Sequence, residues 1–475
     1  MESSERTTIY HEIDFLLPAQ RFNINFSYVS QRGLPFVREF VLRLVHLGPM
    51  STSQVASFLG FSRLEAQEAI RDLVERGELE LSESGRLTLT EKSRDYFTDI
   101  GEVPSLSMLR DGTAHLSFEL ATFSCLGAGN SHEKWRAGIA LRVADENASC
   151  SEILVEKHFQ RQFNDILRNG FLSKAVVQDG RDPPSAYTVN SVKKIKHMPL
   201  RLPVEFKLDE QGRNVERDDF DCLESSDYVH GQVSLELDRL ARPGNFVEIA
   251  KAMLEVGDTD TFKAFESSGN TIDFQFFEDL TKLESNGPGK RTTFIGPLYA
   301  ERNWSLVKKQ LGPIIKKRRE SKQEVGETPV LWVAPSDPYW GKSSNLLSRV
   351  GELVEVSRTK DKRIYSPTIF VPVSGRDNNK SARRWKMEFE PGTERLRALV
   401  EGFLGGGVEV LHFEGEFVVV VYHLSLPQSY PVSLPIGFIS TDKAVVTKIG
   451  RLVNAYVGSS SGFDLPNDCG PLDRL

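Results

Sequence analysis

Cysteine is scarce in this chain: four residues in 475, Cys125, Cys150, Cys222 and Cys469, lie far apart with no Cys-x-x-Cys pair. That spacing excludes a recognisable zinc ribbon and offers no disulfide framework, which fits a reducing, cytoplasmic setting. Long apolar runs are lacking as well. The longest lies near Phe417–Tyr422, far short of the roughly 20 residues needed to cross a bilayer, so no membrane partner is expected. The first residues, Met1-Glu2-Ser3-Ser4-Glu5-Arg6, lack the basic-then-apolar pattern of a signal peptide. Neither a Gly-x4-Gly-Lys phosphate loop nor a His-Glu-x-x-His zinc helix is present. No cofactor is expected, and the reading leans away from an enzyme.

What is present is an ordinary globular composition, 39% apolar and 26% charged. The chain is too long for one hydrophobic core. An α+β or α/β multidomain protein is expected: an N-terminal extension (1–33), a compact helical region (34–98), a mixed α/β middle (99–285), a basic α/β domain with a mixed sheet (286–457) and a flexible tail (458–475). The net charge of −7 is uneven. From Lys308 to Lys386 there are 18 Lys or Arg against 8 Asp or Glu, so the rest of the chain carries −17. A basic segment in an acidic chain is a footprint for a polyanion, nucleic acid being the commonest, or simply a solvated surface.

Residues 34–98 are the most legible. A helix from about Leu34 to Leu47 carries Phe36, Phe40, Leu42, Leu44 and Val45 and ends at Gly48-Pro49. Ser51-Thr52-Ser53-Gln54 and Ser62-Arg63-Leu64-Glu65 are two capping boxes, each opening a helix. The second of these helices buries Ala66, Ala69, Ile70, Leu73 and Val74 and ends before Gly77. Leu79 and Leu81, a Ser84-Gly85 turn and Arg86-Leu87-Thr88-Leu89 make a hairpin, and Thr90 caps a last helix through Phe97. This order resembles the winged helix-turn-helix domains of bacterial regulators such as the multiple-antibiotic-resistance repressor family. The closing Leu-Thr-Leu-Thr-Glu-Lys-x-Arg-x-Tyr-Phe belongs to the same likeness. It covers about 65 residues and implies DNA as a partner. Arg63, Gln67 and Arg71, at i, i+4 and i+8, share one stripe able to hydrogen-bond base edges, and Arg86 on the wing can reach a phosphate or the minor groove. Glu68, Asp72 and Glu75 flank that stripe, and the region holds eight basic and ten acidic side chains. Phosphate contact normally supplies most of the affinity, so docking to a protein is the alternative.

The middle offers less. Strands are expected over Ala114–Phe123 and Trp135–Val143, and helices over Ser151–Asn169 and Phe246–Val256. Glu205 and Lys207, two apart in an extended apolar setting, match the Glu-x-Lys of restriction-type nucleases, which hold magnesium with an upstream acid; Asp182 is the only tempting partner. Any half-buried strand with polar alternation produces the same pattern. The acidic run Glu216, Asp218, Asp219, Asp221 and Glu224 reads first as a solvated loop, and His412 and His423 read as core residues rather than ligands.

From Arg291 onward strands and helices alternate. Strands are expected at Pro329–Ala334, Leu353–Val356 and Thr368–Val373, with a helix from Trp304 interrupted at Gly312-Pro313 before Lys316-Lys317-Arg318-Arg319. A helix at Thr393–Leu404, strands at Val408–Phe413, Glu416–His423 and Val432–Ser440, and a helix at Lys443–Val457 complete the pattern; Gly405-Gly406-Gly407 reads as a helix stop. With Pro435-Ile436-Gly437-Phe438-Ile439-Ser440-Thr441 before the last helix, this unit resembles one half of a phospholipase D-type domain, a family of nucleases and lipases. Catalysis there needs His-x-Lys followed, after four residues, by Asp. Here His412-Phe413-Glu414 has the wrong third residue and Val419 stands where Asp would. The likeness therefore implies a fold without its reaction, keeping a nucleic-acid groove. Arg383-Arg384-Trp385-Lys386 joins Lys316, Lys317, Arg318 and Arg319 as basic DNA contacts, with the indole free to stack on a base or else buried in the core. The expected whole is a DNA-associated, non-catalytic subunit of a bacterial multiprotein DNA-handling or anti-phage system. The alternatives are a magnesium-dependent nuclease or a ligand-responsive winged-helix regulator.

Overall fold

A computed structural model describes residues 7–97, 99, 103–129, 136–177, 183–223, 225–265, 272–286, 290–320, 327–359, 362–375, 379–390, 395–459 and 465–474. Trp135, Asp182, Glu224 and the 460–464 part of the expected tail lie outside these, as does the side chain of Arg319. The chain is mixed α and β with several sheets and divides into two compact units. The first comprises Met1–Leu17, Ser131–Arg142 and Leu200–Leu475, the second Pro18–Asn130 and Val143–Pro199. From Thr8 on, the expected extension is one long strand, β1 (Thr8–Gly33). Among the described residues no helix is long and apolar enough to cross a membrane.

In the second unit β1 leads to α1 (Phe36–Leu47), α2 (Thr52–Leu59) and α3 (Arg63–Glu75), then to a hairpin of β2 (Leu79–Leu81) and β3 (Leu87–Leu89) and the short α4 (Glu91–Arg94). Both capping boxes close: Ser51 Oγ accepts from the Gln54 amide at 3.3 Å and Ser62 Oγ from the Glu65 amide at 3.3 Å, while each N3 side chain returns to the cap amide. Gly60, at φ 70°, supplies the left-handed residue that ends α2. Val41, Leu42, Val45, Val55, Ile70, Leu73, Leu79, Leu87 and Leu89 form one core. The expected buried face of α3 shrinks: Ala66, Ile70 and Leu73 are buried, but Val74 is exposed, because the turn that closes the helix faces water.

β4 (Ser105–Glu119) pairs antiparallel with β1 from Ala19 to Gly33, and β5 (Cys125–Gly127) adds to β4. Alternation along β1 puts Phe22, Ile24, Phe26 and Tyr28 on one face. The expected strand through Phe123 stops at Glu119, whose buried carboxylate accepts from the amides of Ala121 at 2.7 Å and Ser124 at 2.7 Å and so turns the chain. The expected strand at 135–143 is reduced to β6 (Ile139–Ala140), parallel to β1 at Phe15 and Leu16 in the first unit. α5 (Asp145–Ser149), α6 (Ser151–Arg168), α7 (Lys174–Val177) and β7 (Ser185–Leu208) follow. α6 lays Val155, Phe159, Phe163 and Ile166 against the apolar face of β1.

The rest of the first unit is a sheet with helices on both faces. Its elements are α8 (Asp227–Leu240), α9 (Phe246–Val256), α10 (Thr259–Phe262), α11 (Phe274–Asn286), β8 (Arg291–Ile295), α12 (Glu301–Glu320), β9 (Thr328–Val333), α13 (Ser344–Val356), a small hairpin of β10 (Arg358–Thr359) and β11 (Lys362–Arg363), β12 (Tyr365–Val373), α14 (Asn379–Phe389), β13 (Leu396–Val400), β14 (Val408–Phe413), β15 (Phe417–Leu424), β16 (Leu434–Ser440), α15 (Lys443–Gly458) and β17 (Asp468–Pro471). The sheet runs β17-β13-β12-β9-β14-β15-β16-β8. β13, β12 and β9 are parallel; β14, β15, β16 and β8 continue antiparallel. Every residue of β14, β15 and β16 is buried, as expected for strands covered on both faces. Trp304, Trp332, Trp340 and Trp385 fill one side, and Ile249, Met253, Ile449 and Val453 the other.

Four expectations change here. Leu353–Val356 is the last turn of α13, not a strand; Leu346, Val350 and Leu353 sit on one helical face, and a four-residue apolar run carries no period of its own. The expected 393–404 helix contains strand β13 instead, because Leu396–Val400 finds a parallel partner in β12. The helix from Glu301 continues through Pro313 without a break. The expected tail contributes β17, an edge strand antiparallel to β13.

Candidate functional site

On α3 the apolar side faces the core and leaves Arg63, Gln67 and Arg71 exposed; Arg86 is exposed at the β2–β3 turn. They differ in availability. Arg71 is held by Glu68 and lies 3.8 Å from Glu75, so much of its charge is met within its own helix. Arg63 and Arg86 make no ion pair among the described residues. Other cations of this region are occupied: Arg38 pairs with the buried Glu78, which also accepts from Tyr96 at 3.1 Å, and Arg76 lies 2.7 Å from Asp72.

In the first unit the basic residues separate into two kinds. Lys316, Lys317, Arg383 and Arg384 are exposed and Lys386 is partly so. Arg318 is structural: it donates to Thr328 at 2.7 Å and Glu416 at 3.0 Å and lies over the Tyr365 ring. Trp385 requires a correction. It is 2% exposed, donates to the Pro372 carbonyl at 2.8 Å and packs edge-on against Trp340, so it cannot stack on a base. Its neighbour Arg384 covers the ring from outside. An open groove of about 520 Å³ is lined by Ser374, Lys380, Ser381, Arg383, Arg384 and Met387.

The lysine of the Glu-x-Lys pair has its charge met by Asp218 as well as by Glu205. Lys207 is bound by Asp218 and lies 3.5 Å from Glu205, and the Asp218 bond raises its pKa. Asp219, next in the acidic loop, lies 3.3 Å from His230. Among the described residues no three His, Cys, Asp or Glu side chains are placed to share a metal ion.

Sequence reasoning missed a buried polar cluster. It lies in the first unit, where β9 and β15 end and β14 and β16 begin. His423, fully buried on β15, has Asp337 Oδ2 3.0 Å from Nδ1 and Glu409 Oε2 3.0 Å from Nε2. Glu409 also accepts from the indoles of Trp332 at 2.7 Å and Trp340 at 2.9 Å. Ser433 donates to Asp337 at 2.5 Å. Burial alone pushes an imidazole down, but here the two carboxylates overcome it and raise His423 to about 9. Burial pushes the Asp337 carboxyl up, and the His423 bond outweighs it, so its pKa is lowered. With both nitrogens donating, His423 is an imidazolium at neutral pH and can act neither as base nor as nucleophile. Nearby His11 is fully buried and driven down to about 4 by desolvation, so it is neutral. The available signal was Glu409, the lone acid in a fully buried strand whose other residues are apolar apart from His412.

The Gly405-Gly406-Gly407 run forms a wall beside this cluster. Gly405 and Gly406 have φ of 77° and 84°, and a Cβ on Gly407 would stand 2.8 Å from Ile249 Cδ1. His412 does not join it: it is buried separately, bonded to the Val446 carbonyl at 3.1 Å.

No protein-family model matches the chain, and no curated protein matches it. Among solved structures, Nuc from Salmonella typhimurium, a phospholipase D family member, is 9% identical over 34% of this chain and 91% of its own, with a TM-score of 0.20. TrmBL2, an archaeal chromatin protein, is 12% identical over 50% of this chain and 70% of its own, with a TM-score of 0.22. At such scores neither likeness carries an argument about this chain.

Proposed function

We propose that the protein is DNA-associated and non-catalytic, and that residues 34–98 form a winged helix that meets the duplex. One observation carries this reading. The third helix is locked to its core by Ala66, Ile70 and Leu73 and presents Arg63 and Gln67 outward, with Arg86 exposed on the hairpin behind it. Arginine and glutamine at that spacing suit guanine and adenine edges in a major groove. Arg71 joins only when DNA displaces Glu68 and Glu75. The groove beside Arg383 and Arg384 and the exposed Lys316 and Lys317 supply further positive charge for phosphates. Exposed Phe36, Phe58, Leu64 and Leu81 support protein subunits as additional partners.

Fluorescence anisotropy with a labelled duplex over a salt series tests the reading. The full chain binds at low salt, and Arg63→Ala combined with Gln67→Ala weakens binding at least tenfold. Arg86→Ala reduces the salt slope by about one. Absence of binding to both duplex and single strand at low salt overturns it. The nuclease alternative loses support because its lysine is already neutralised by Asp218.

A further inference from the structure

The buried cluster opens into a cleft that the DNA reading leaves unused. The cleft holds about 130 Å³, room for about four water-sized groups at ~30 Å³ each, and is bounded by Asp337, Ser336, Ser433, Tyr339, Arg242 and the 405–407 glycines. Its walls are fastened. Asn245 donates to the His423 carbonyl at 2.9 Å and accepts from the Ser425 amide at 2.7 Å, and Ser336 donates its amide to the Gly406 carbonyl at 2.7 Å. A cleft whose lining is already ordered loses little entropy when a ligand enters.

Its lining includes residues of both charge signs. At the floor, Asp337, Glu409 and His423 sum to −1. Glu409 is consumed by His423 and the two indoles, so Asp337 is the carboxylate that faces the cleft. Its Oδ2 accepts from His423 and Ser433, whereas Oδ1 takes only a long bond, 3.3 Å, from the Tyr339 amide and keeps room for a stronger donor. Arg242 also lines the cleft, exposed and without an ion pair among the described residues, its carbonyl held by Ser425. A carboxylate and a guanidinium-bearing residue lining one cleft match a molecule that carries both an ammonium and a carboxylate.

We infer that this cleft binds a free α-amino acid, with its ammonium on Asp337 and Ser433 and its carboxylate on Arg242. Inorganic phosphate meets a net negative floor, and a neutral sugar leaves both charges unanswered. The inference is independent of DNA binding.

Calorimetry and thermal shift on the full chain, with each of the twenty standard L-amino acids in turn, test it. At least one amino acid binds and raises the melting temperature with concentration. Its N-acetyl derivative and its decarboxylated amine each bind at least tenfold more weakly. Arg242→Ala, an exposed substitution that leaves the unliganded melting temperature unchanged, weakens the amino acid at least tenfold and leaves the amine unaffected. The proposal is overturned if none of the twenty binds, if binding ignores both Arg242→Ala and N-acetylation, or if glucose or inorganic phosphate binds in an Arg242-dependent way instead.

Discussion

The surface of α3 and the strand-end cluster use the same kinds of charged side chain to opposite effect. On α3, Arg71 lies between Glu68 and Glu75 in water, 65% exposed, where solvent screens each pair to a few tenths of a kcal/mol. At the strand ends, His423 and Glu409 are buried and Asp337 meets only the cleft, so each ion depends on its partners for most of the solvation it has lost. The lesson is one of exposure. Charges on α3 can be released to a partner at little cost, whereas those of the cluster are bound into the fold and can serve a ligand only from where they stand.

The largest way to break this contrast is to unbalance the cluster. Glu409→Gln keeps an acceptor for the two indoles but leaves His423 with one carboxylate. Urea unfolding followed by tryptophan fluorescence should show a loss of about 3–5 kcal/mol. That signal is selective, because the described tryptophans, Trp304, Trp332, Trp340 and Trp385, belong to the first unit. A loss below 1 kcal/mol would mean that the imidazolium is not held as described.

pH supplies the next effect. His423 rises from 6.5 unfolded to about 9 folded, so its stabilisation is complete below pH 6.5 and is lost as pH climbs toward 9. His11 falls from 6.5 to about 4, so its stabilisation is complete above pH 6.5 and is lost as pH drops toward 4. Together they place a stability maximum near pH 6.5, with limbs of about 3 kcal/mol each. His11→Phe should flatten the acid limb and leave the alkaline one. A flat profile between pH 5 and 8 in the wild-type chain contradicts both assignments.

Smaller effects belong to the second unit. Ser62→Ala removes a cap and should cost about 1 kcal/mol, read as faster amide exchange in the first turn of α3. Smallest in stability and most telling for function is the pair Glu68→Gln and Glu75→Gln. It should change stability by less than about 0.5 kcal/mol yet tighten DNA binding several-fold by freeing Arg71. Unchanged or weaker binding in that variant would place Arg71 away from the DNA.

Much of the second unit's helical region was legible because its signals are local. Ser51 with Gln54, and Ser62 with Glu65, are contacts three residues apart, and Gly60 and Gly85 turn the chain where they stand. Strands 408–413 and 417–424 were equally plain, since doubly covered strands read as unbroken apolar runs. Where the reading failed, the deciding contact lay far away. Leu396–Val400 is a strand because β12 lies beside it, and Trp385 is buried because Trp340 and Phe389 enclose it. Asp337, Glu409 and His423 are separated in sequence by 72 and 14 residues and meet only when β9, β14 and β15 align.

From its sequence alone the chain settles the helix starts and stops of residues 34–98, the buried strands 408–413 and 417–424, and that positive charge concentrates between Lys308 and Lys386, because caps, turns and composition act over a few residues. Tertiary structure alone decides which of those charges remain available. A side chain's solvation depends on what the fold places against it: Arg63 is left to water, Arg318 to Glu416 and Tyr365, and His423 to the carboxylates of Asp337 and Glu409.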